Sequence, residues 1–307
     1  MKSIVLKAPA TIANFGPGFD IFAIALKAPV DNFKLTLRKD GKIKITVQGR
    51  KEDLPCDPEK NAAGIAASNF FKQTGKAGGI EIKIEKNMKI ASGLGTSGAS
   101  AAATVFGLNI LLETGLSDTE IIDIARQGET ATGGAAHADN VAGCLLGGFV
   151  FIRNYEPLKI CRLELPELPI VIAVMPKPQK TTRGFITEKM PLQQVVDQIS
   201  WCAGMIHAVG EGNPRSIGQA VNFDHISEPI RGSFIPGYKD IKNKALDAGA
   251  FGFNVSGGGS SVFAICEKSR QKKIAELLKE EFKRHEQNPE IIVTQTSNFG
   301  VRQYDER

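Results

Sequence analysis

Alternating apolar and polar positions mark short strands in the first part of the chain, at Ser3–Lys7, Phe33–Arg38, Lys42–Gln48 and Gly79–Glu85. Between the third and fourth, a helical spacing over Lys60–Thr74 puts Ala62, Ala66 and Phe70 on one stripe. After the fourth strand the small residues of Ala91–Ser100 open a stretch that is apolar all round through Leu112, which predicts a buried helix with Gly115 beyond its end. Ser117, with Glu120 three positions later, forms a capping box that starts another helix, running to about Thr130. Leu146–Asn154 reads as a strand, and the proline-punctuated stretch from Glu156 to Val174 suggests a domain division at its start, giving units 1–155 and 156–307. The second unit offers strands at Ile170–Met175, Ser261–Cys266 and Glu290–Thr294, helices near Leu192–Gly210, Ile241–Asp247 and Lys268–His285, and a glycine loop at Ser256–Gly259. Mixed elements in both halves predict an α+β or α/β protein, with α+β the expected class.

Composition narrows the functional classes. With 307 residues, 42% hydrophobic and 23% charged, the chain is expected to fold rather than stay disordered. No run approaches the ~18 apolar residues of a membrane span, and the first nine residues are too short and too soon interrupted for a signal peptide, so a cytoplasmic location without membrane partners is expected. Five scattered cysteines and four histidines show no chelating or disulfide spacing. A net charge of +5 with 7% aromatics gives no basis for nucleic-acid binding, and the lysine-rich Lys268–His285 reads as a solvated amphipathic helix.

The densest chemical signal is Gly93-Leu94-Gly95-Thr96-Ser97-Gly98-Ala99. It satisfies G-x-G-x-x-G, but the helix that follows leads to a second helix rather than to a strand ending in an acidic residue, so a dinucleotide fold is excluded. No Walker string exists, and the near match to a nucleophile elbow lacks an oxyanion loop and an assigned histidine. What remains is general. Small residues at the mouth of a buried helix leave the first N–H groups free, and together with the helix dipole these make an anion site. On the next helix, Ile121, Ile122 and Ala125 form the inward stripe, and position 129 continues it with a glutamate. Either the helix frays there and Glu129 reaches water, or its carboxylate is compensated by a cation. A magnesium ion riding on ATP phosphates, held by Glu129 and the Ser97 hydroxyl, fits the second reading.

Three further segments concentrate polar residues: Pro9–Asp20, where Asn14 and Asp20 flank glycines; His137-Ala138-Asp139-Asn140; and Asn254–Ser261 with its three successive glycines. Together with the Gly93–Ala99 loop, they resemble in order and spacing the three motifs of the GHMP kinase superfamily. Within it the homoserine kinases are most similar, on His137–Ala142, Leu146–Phe149, Glu228-Pro229-Ile230-Arg231-Gly232 and Ile235–Tyr238. The second motif departs from the usual paired serines in having Thr96-Ser97 followed by Gly98, and the region Thr181–Thr187 lacks the family's T-x-x-x-R, so that either Arg183 takes that role or the substrate differs from homoserine.

The resemblance implies a two-domain GHMP kinase fold, with an N-terminal β/α layer carrying the phosphate loop and a ferredoxin-like C-terminal domain, and is compatible with a homodimer. It implies ATP-dependent phosphorylation of the terminal hydroxyl of a small molecule, L-homoserine first, with mevalonate, shikimate, threonine or a non-catalytic sensor as alternatives. ATP and Mg2+ would occupy the domain cleft, with Asn61 near the base and Gly93–Ala99 on the phosphates. Asp20 and Asp139 are the expected ammonium partners, Arg231 and Arg183 the carboxylate partners, and His137, Asn14 and Asn140 the groups orienting the hydroxyl. Asp139 is also a candidate general base.

Overall fold

In the computed structural model, residues 2–49, 54–133, 136–175, 183–186, 189–259 and 261–304 are described. The chain runs β1 (Ser3–Ala13), β2 (Phe22–Arg38), β3 (Ile43–Gly49), α1 (Ala62–Thr74), β4 (Gly79–Lys86), α2 (Thr96–Leu111), α3 (Asp118–Arg126), α4 (Thr130–Gly133), α5 (Asp139–Leu146), β5 (Phe149–Tyr155) and β6 (Leu158–Leu163). It continues through β7 (Pro169–Val174), α6 (Leu192–Gly210), α7 (Pro214–Val221), α8 (Glu228–Ser233), α9 (Tyr238–Asp247), β8 (Ala250–Val255), β9 (Val262–Cys266), α10 (Gln271–Arg284), β10 (Glu290–Gln295) and β11 (Arg302–Gln303).

The first sheet has the order β11-β1-β2-β4-β3, with β5 and β6 joined to it through β2, and among the described residues only its β3–β4 pair is parallel. β2 is longer than its sequence pattern suggested. Its first residues pair β5 and the end of β1, and its later residues pair β4 and the start of β1, on either side of a register shift between Pro9 and Thr11. Helices α1, α2 and α5 cover this sheet, and α2 is buried along nearly its whole length, as its all-apolar sequence requires. Gly107 of α2 is needed for that approach: a Cβ there would lie 2.9 Å from Leu35 and 3.0 Å from Leu6. The predicted capping box is present, with the Ser117 side chain accepting from Glu120 N.

The second sheet is antiparallel with the order β10-β7-β9-β8, the β-α-β-β-α-β arrangement of a ferredoxin-like unit with extra helices in its first crossover. Its continuous apolar strand reflects burial on both faces. Ile170, Ile172 and Val174 join the core shared with the first sheet, while Val171, Ala173 and Met175 pack beneath α9 and α10. The expected division at 155/156 falls in the turn of the β5–β6 hairpin. Residues through Leu163 remain in the first sheet, and β11 returns the C-terminus to it.

Candidate functional site

One cleft, of about 400 Å³, brings together most of the residues singled out from the sequence. Asn14, Asp20, Asn61, Gly93, Gly95, Thr96, Ser97, Glu129, His137, Asp139, Asn140 and Arg231 all line it, with Gly257–Gly259 at its edge. Leu94 and Ala99 lie behind this wall as core residues. Of Arg183, only the backbone is described, in a short 3-10 turn; its side chain, Thr181, Thr182 and Thr187 lie outside the described residues.

The Gly93–Ala99 loop is shaped by close approaches. Gly95 caps α2 with φ 67° and makes no side-chain capping hydrogen bond. A Cβ on Gly95 would sit 1.9 Å from Thr11 Oγ1 and 2.6 Å from Asn140 Oδ1, and one on Gly93 2.3 Å from the Ser256 carbonyl. Ser256 Oγ donates to Gly93 O at 2.7 Å, so the glycine loop of the second domain is docked on the first. The glycine that follows Thr96-Ser97 has a packing reason: a Cβ on Gly98 would press on Asn140 at 3.0 Å. Its absence lets the start of α5, with Asp139 and Asn140, lie against the start of α2.

Beneath the loop is a pair that the sequence reading missed. Asp31, Phe33 and Leu35 share the buried face of β2, and Ile80, Ile82, Ile84 and Lys86 that of β4. The register that pairs Asn32 with Glu85 sets the two charges opposite one another. Lys86 Nζ, 1% exposed, reaches Asp31 Oδ2 (2.6 Å), Thr96 Oγ1 (2.7 Å), Ser100 Oγ (3.0 Å) and Thr96 O (3.1 Å). Asp31 Oδ1 accepts from Asn87 N and Met88 N. Burial pushes the Lys86 ammonium below the usual lysine range, opposed by the Asp31 charge. Since Thr96 Oγ1 accepts from the lysine, its own proton is free to point into the cleft. A lysine at the next inward position of an alternating strand was the legible sign.

Glu129 does not fray into water. α3 tightens into a 3-10 turn at Gln127–Glu129, and Gly128 lets that turn press onto α1 and α2, where a Cβ would meet the Ala62 carbonyl at 2.6 Å. The carboxyl thus lies in the cleft, hydrogen-bonded by the Ser97 hydroxyl. Burial, against the lowering effect of Ser97 and with Asp139 adding to it, raises its pKa to about 7.

At the other end, the turn after β1 holds Asn14, Phe15 and Asp20 at φ 65°, 43° and 60°. Asn14 Oδ1 accepts from Asp20 N (3.1 Å), and Tyr155 Oη donates to Asp20 O (2.8 Å). Asp20 stands 3.8 Å from His137 Nδ1. Asn140 Oδ1 accepts from Thr11 Oγ1 (2.7 Å), and Asp139 Oδ1 accepts from Asn140 N. Arg231, 5% exposed, donates to Gly257 O at 2.8 Å and lies over the Phe19 ring. Asn61 is a builder of the wall: its Oδ1 caps α1 at Ala63 N and its Nδ2 donates to Pro55 O.

Comparison with known proteins bears on this arrangement. The GHMP kinases N-terminal domain model matches residues 61–148, and the GHMP kinases C-terminal model matches residues 205–284. A homoserine kinase of Methanococcus vannielii is 39% identical over 284 residues, covering 91% of this chain and 93% of its own. The chain belongs to the GHMP kinases. A homoserine kinase of Pyrococcus abyssi is 36% identical over 97% of this chain and 98% of its own. The crystal structure of homoserine kinase from Cytophaga hutchinsonii superposes with a TM-score of 0.90 at 35% identity, covering 99% of this chain and 98% of that one. As in other GHMP kinases, the chain is an ATP-dependent kinase, and the open helix mouth and glycine cradle at Gly93–Ala99 suit a triphosphate. The Ser97 hydroxyl and Glu129 carboxyl, two hard oxygen donors already in contact, suit the one or two protein ligands of a magnesium ion on such phosphates.

Proposed function

We propose that this kinase transfers the γ-phosphoryl group of MgATP to the terminal hydroxyl of L-homoserine, giving O-phospho-L-homoserine for threonine biosynthesis in the cytoplasm. One observation carries the reading: the phosphate cradle shares a cleft with a buried arginine and two aspartates, the charges an amino acid requires. The names of the full-length relatives support the choice of amino acid.

The N–H groups at the start of α2 would bind phosphate oxygens, with the Thr96 hydroxyl oriented toward them by Lys86. Ser97 and Glu129 would hold magnesium, which neutralises charge on the phosphates. Asp20 would pair with the homoserine ammonium, and Arg231 with its carboxylate, assisted by Arg183. His137, Asn14 and Asn140 would orient the hydroxyl. Its proton passes to the Asp139 carboxylate as the new P–O bond forms, the bond to the β-phosphate oxygen breaks, and ADP leaves. Asp139 thereby acts as ligand and base. Coupled ADP release against homoserine, threonine, mevalonate and shikimate tests the substrate. Homoserine should give the highest kcat/KM, and turnover of mevalonate in preference to it would overturn the reading.

A further inference from the structure

The turn carrying Asn14 and Asp20 belongs to the first sheet by sequence, yet it is held by the second domain. Gly16 packs so closely on α7 that a Cβ would lie 2.6 Å from Val221 Cα. From α6, Gln198 Nε2 donates to Pro17 O at 2.5 Å, and Cys202 Sγ donates to the same carbonyl at 3.2 Å. The other end of the Gln198 amide, Oε1, accepts from His225 N at 2.8 Å, in the loop leading into α8. Because one partner can only accept and the other can only donate, the orientation of this amide is set. Gln198 is 6% exposed. One buried side chain thus ties the turn that presents Asp20 to the segment that presents Arg231.

We propose that Gln198, assisted by Cys202, is a positioning residue that sets the spacing between the ammonium and carboxylate sites and so the amino acid the kinase accepts. This rests on reading Asp20 and Arg231 as homoserine ligands. Gln198 touches neither the phosphate loop nor Glu129 in any described contact, so its effect falls on one substrate only.

Gln198→Met keeps the volume and removes both bonds, while Gln198→Glu keeps the bond from His225 N and sets a carboxylate against Pro17 O. In both variants the homoserine KM should rise about 5- to 30-fold, the scale for depriving a buried backbone polar group of its amide partner, with the ATP KM within about twofold of wild type. Cys202→Ala should raise it less, and Cys202→Ser, whose hydroxyl can donate, should restore it. Hydrogen exchange gives a readout independent of turnover: the amides of Gly18, Ile21 and Phe22, which hydrogen-bond within the turn, should exchange faster in Gln198→Met. Unchanged exchange, or a rise in both KM values together, would overturn the proposal. Faster exchange without a change in homoserine KM would also overturn it, provided Asp20→Asn raises that KM. If Asp20→Asn has no effect, the substrate reading is at fault, and exchange alone decides whether Gln198 holds the turn. Should Gln198→Met not fold, the Cys202 pair carries the same comparison.

Discussion

The loop end of the cleft is built mainly in the first domain and largely from backbone: a glycine-capped helix mouth, the neighbouring 3-10 turn with Glu129, and a buried Lys86–Asp31 pair beneath, with the Ser256 loop of the second domain docked on Gly93. The opposite end is assembled from side chains on both domains, with Asp20 from a strained turn, Asp139 from α5 and Arg231 from α8. A triphosphate is recognised by what every helix start offers, so the first end needs little beyond room and rigidity. An amino acid is recognised by charges at set distances, so the second depends on how the domains meet.

The difference can be probed by substitution. The largest effect is expected for Lys86→Met, which leaves Asp31 as an uncompensated buried charge and should cost about 3–5 kcal/mol of stability. Lys86→Met with Asp31→Asn should recover much of the melting temperature but not the ATP affinity. Equal losses in single and double variants would show that the pair is not what supports the loop.

Glu129→Gln should lower kcat on the order of a hundredfold at saturating magnesium while the fold survives, because only the charge is removed. Retention of most of the wild-type kcat would remove Glu129 from the metal site.

Arg231→Leu should reduce kcat/KM for homoserine about 10- to 150-fold with little change in the ATP KM, and Arg231→Lys should recover part of it. Gly95→Val, which sets a β-branched residue at φ 67° against Thr11, should do the opposite and weaken ATP binding about tenfold by calorimetry. If both variants disturbed both substrates alike, the two ends would not be separable.

The smallest effect concerns pH. The Glu129 carboxyl, raised from 4.5 to about 7, keeps a proton that the unfolded chain gives up, so metal-free stability falls as pH rises through that interval. The melting temperature of the wild type should therefore drop relative to Glu129→Gln between about pH 5 and 8. A constant gap in a thermal scan series would contradict the assignment. On the proposed magnesium role the metal would compete with that proton, so its apparent affinity should weaken as pH is lowered through 7.

Much of this was legible in the residues because it depends on local physics. The apolar α2, its glycine mouth and the capping box at Ser117 follow from helix sterics and capping, and Glu129 was visible as a charge on an apolar stripe. Lys86 and Asp31 were equally visible as charges continuing inward strand faces, but their partnership required the β2–β4 register. The short helices α7 and α8 carry too few turns to show a period, and the extension of β2 back to Phe22 reflects pairing with β5.

The sequence by itself determined the longer elements, the glycine-rich loop at the start of α2 and the set of charges, since these rest on neighbours within a few residues. Only the tertiary structure decided which charges meet. It closed Glu129 into the cleft through Gly128, docked Ser256 on Gly93, and tied the Asp20 turn to the Arg231 segment through Gln198. Those contacts join residues tens to nearly two hundred positions apart, and their geometry is fixed by packing between layers that no local pattern encodes.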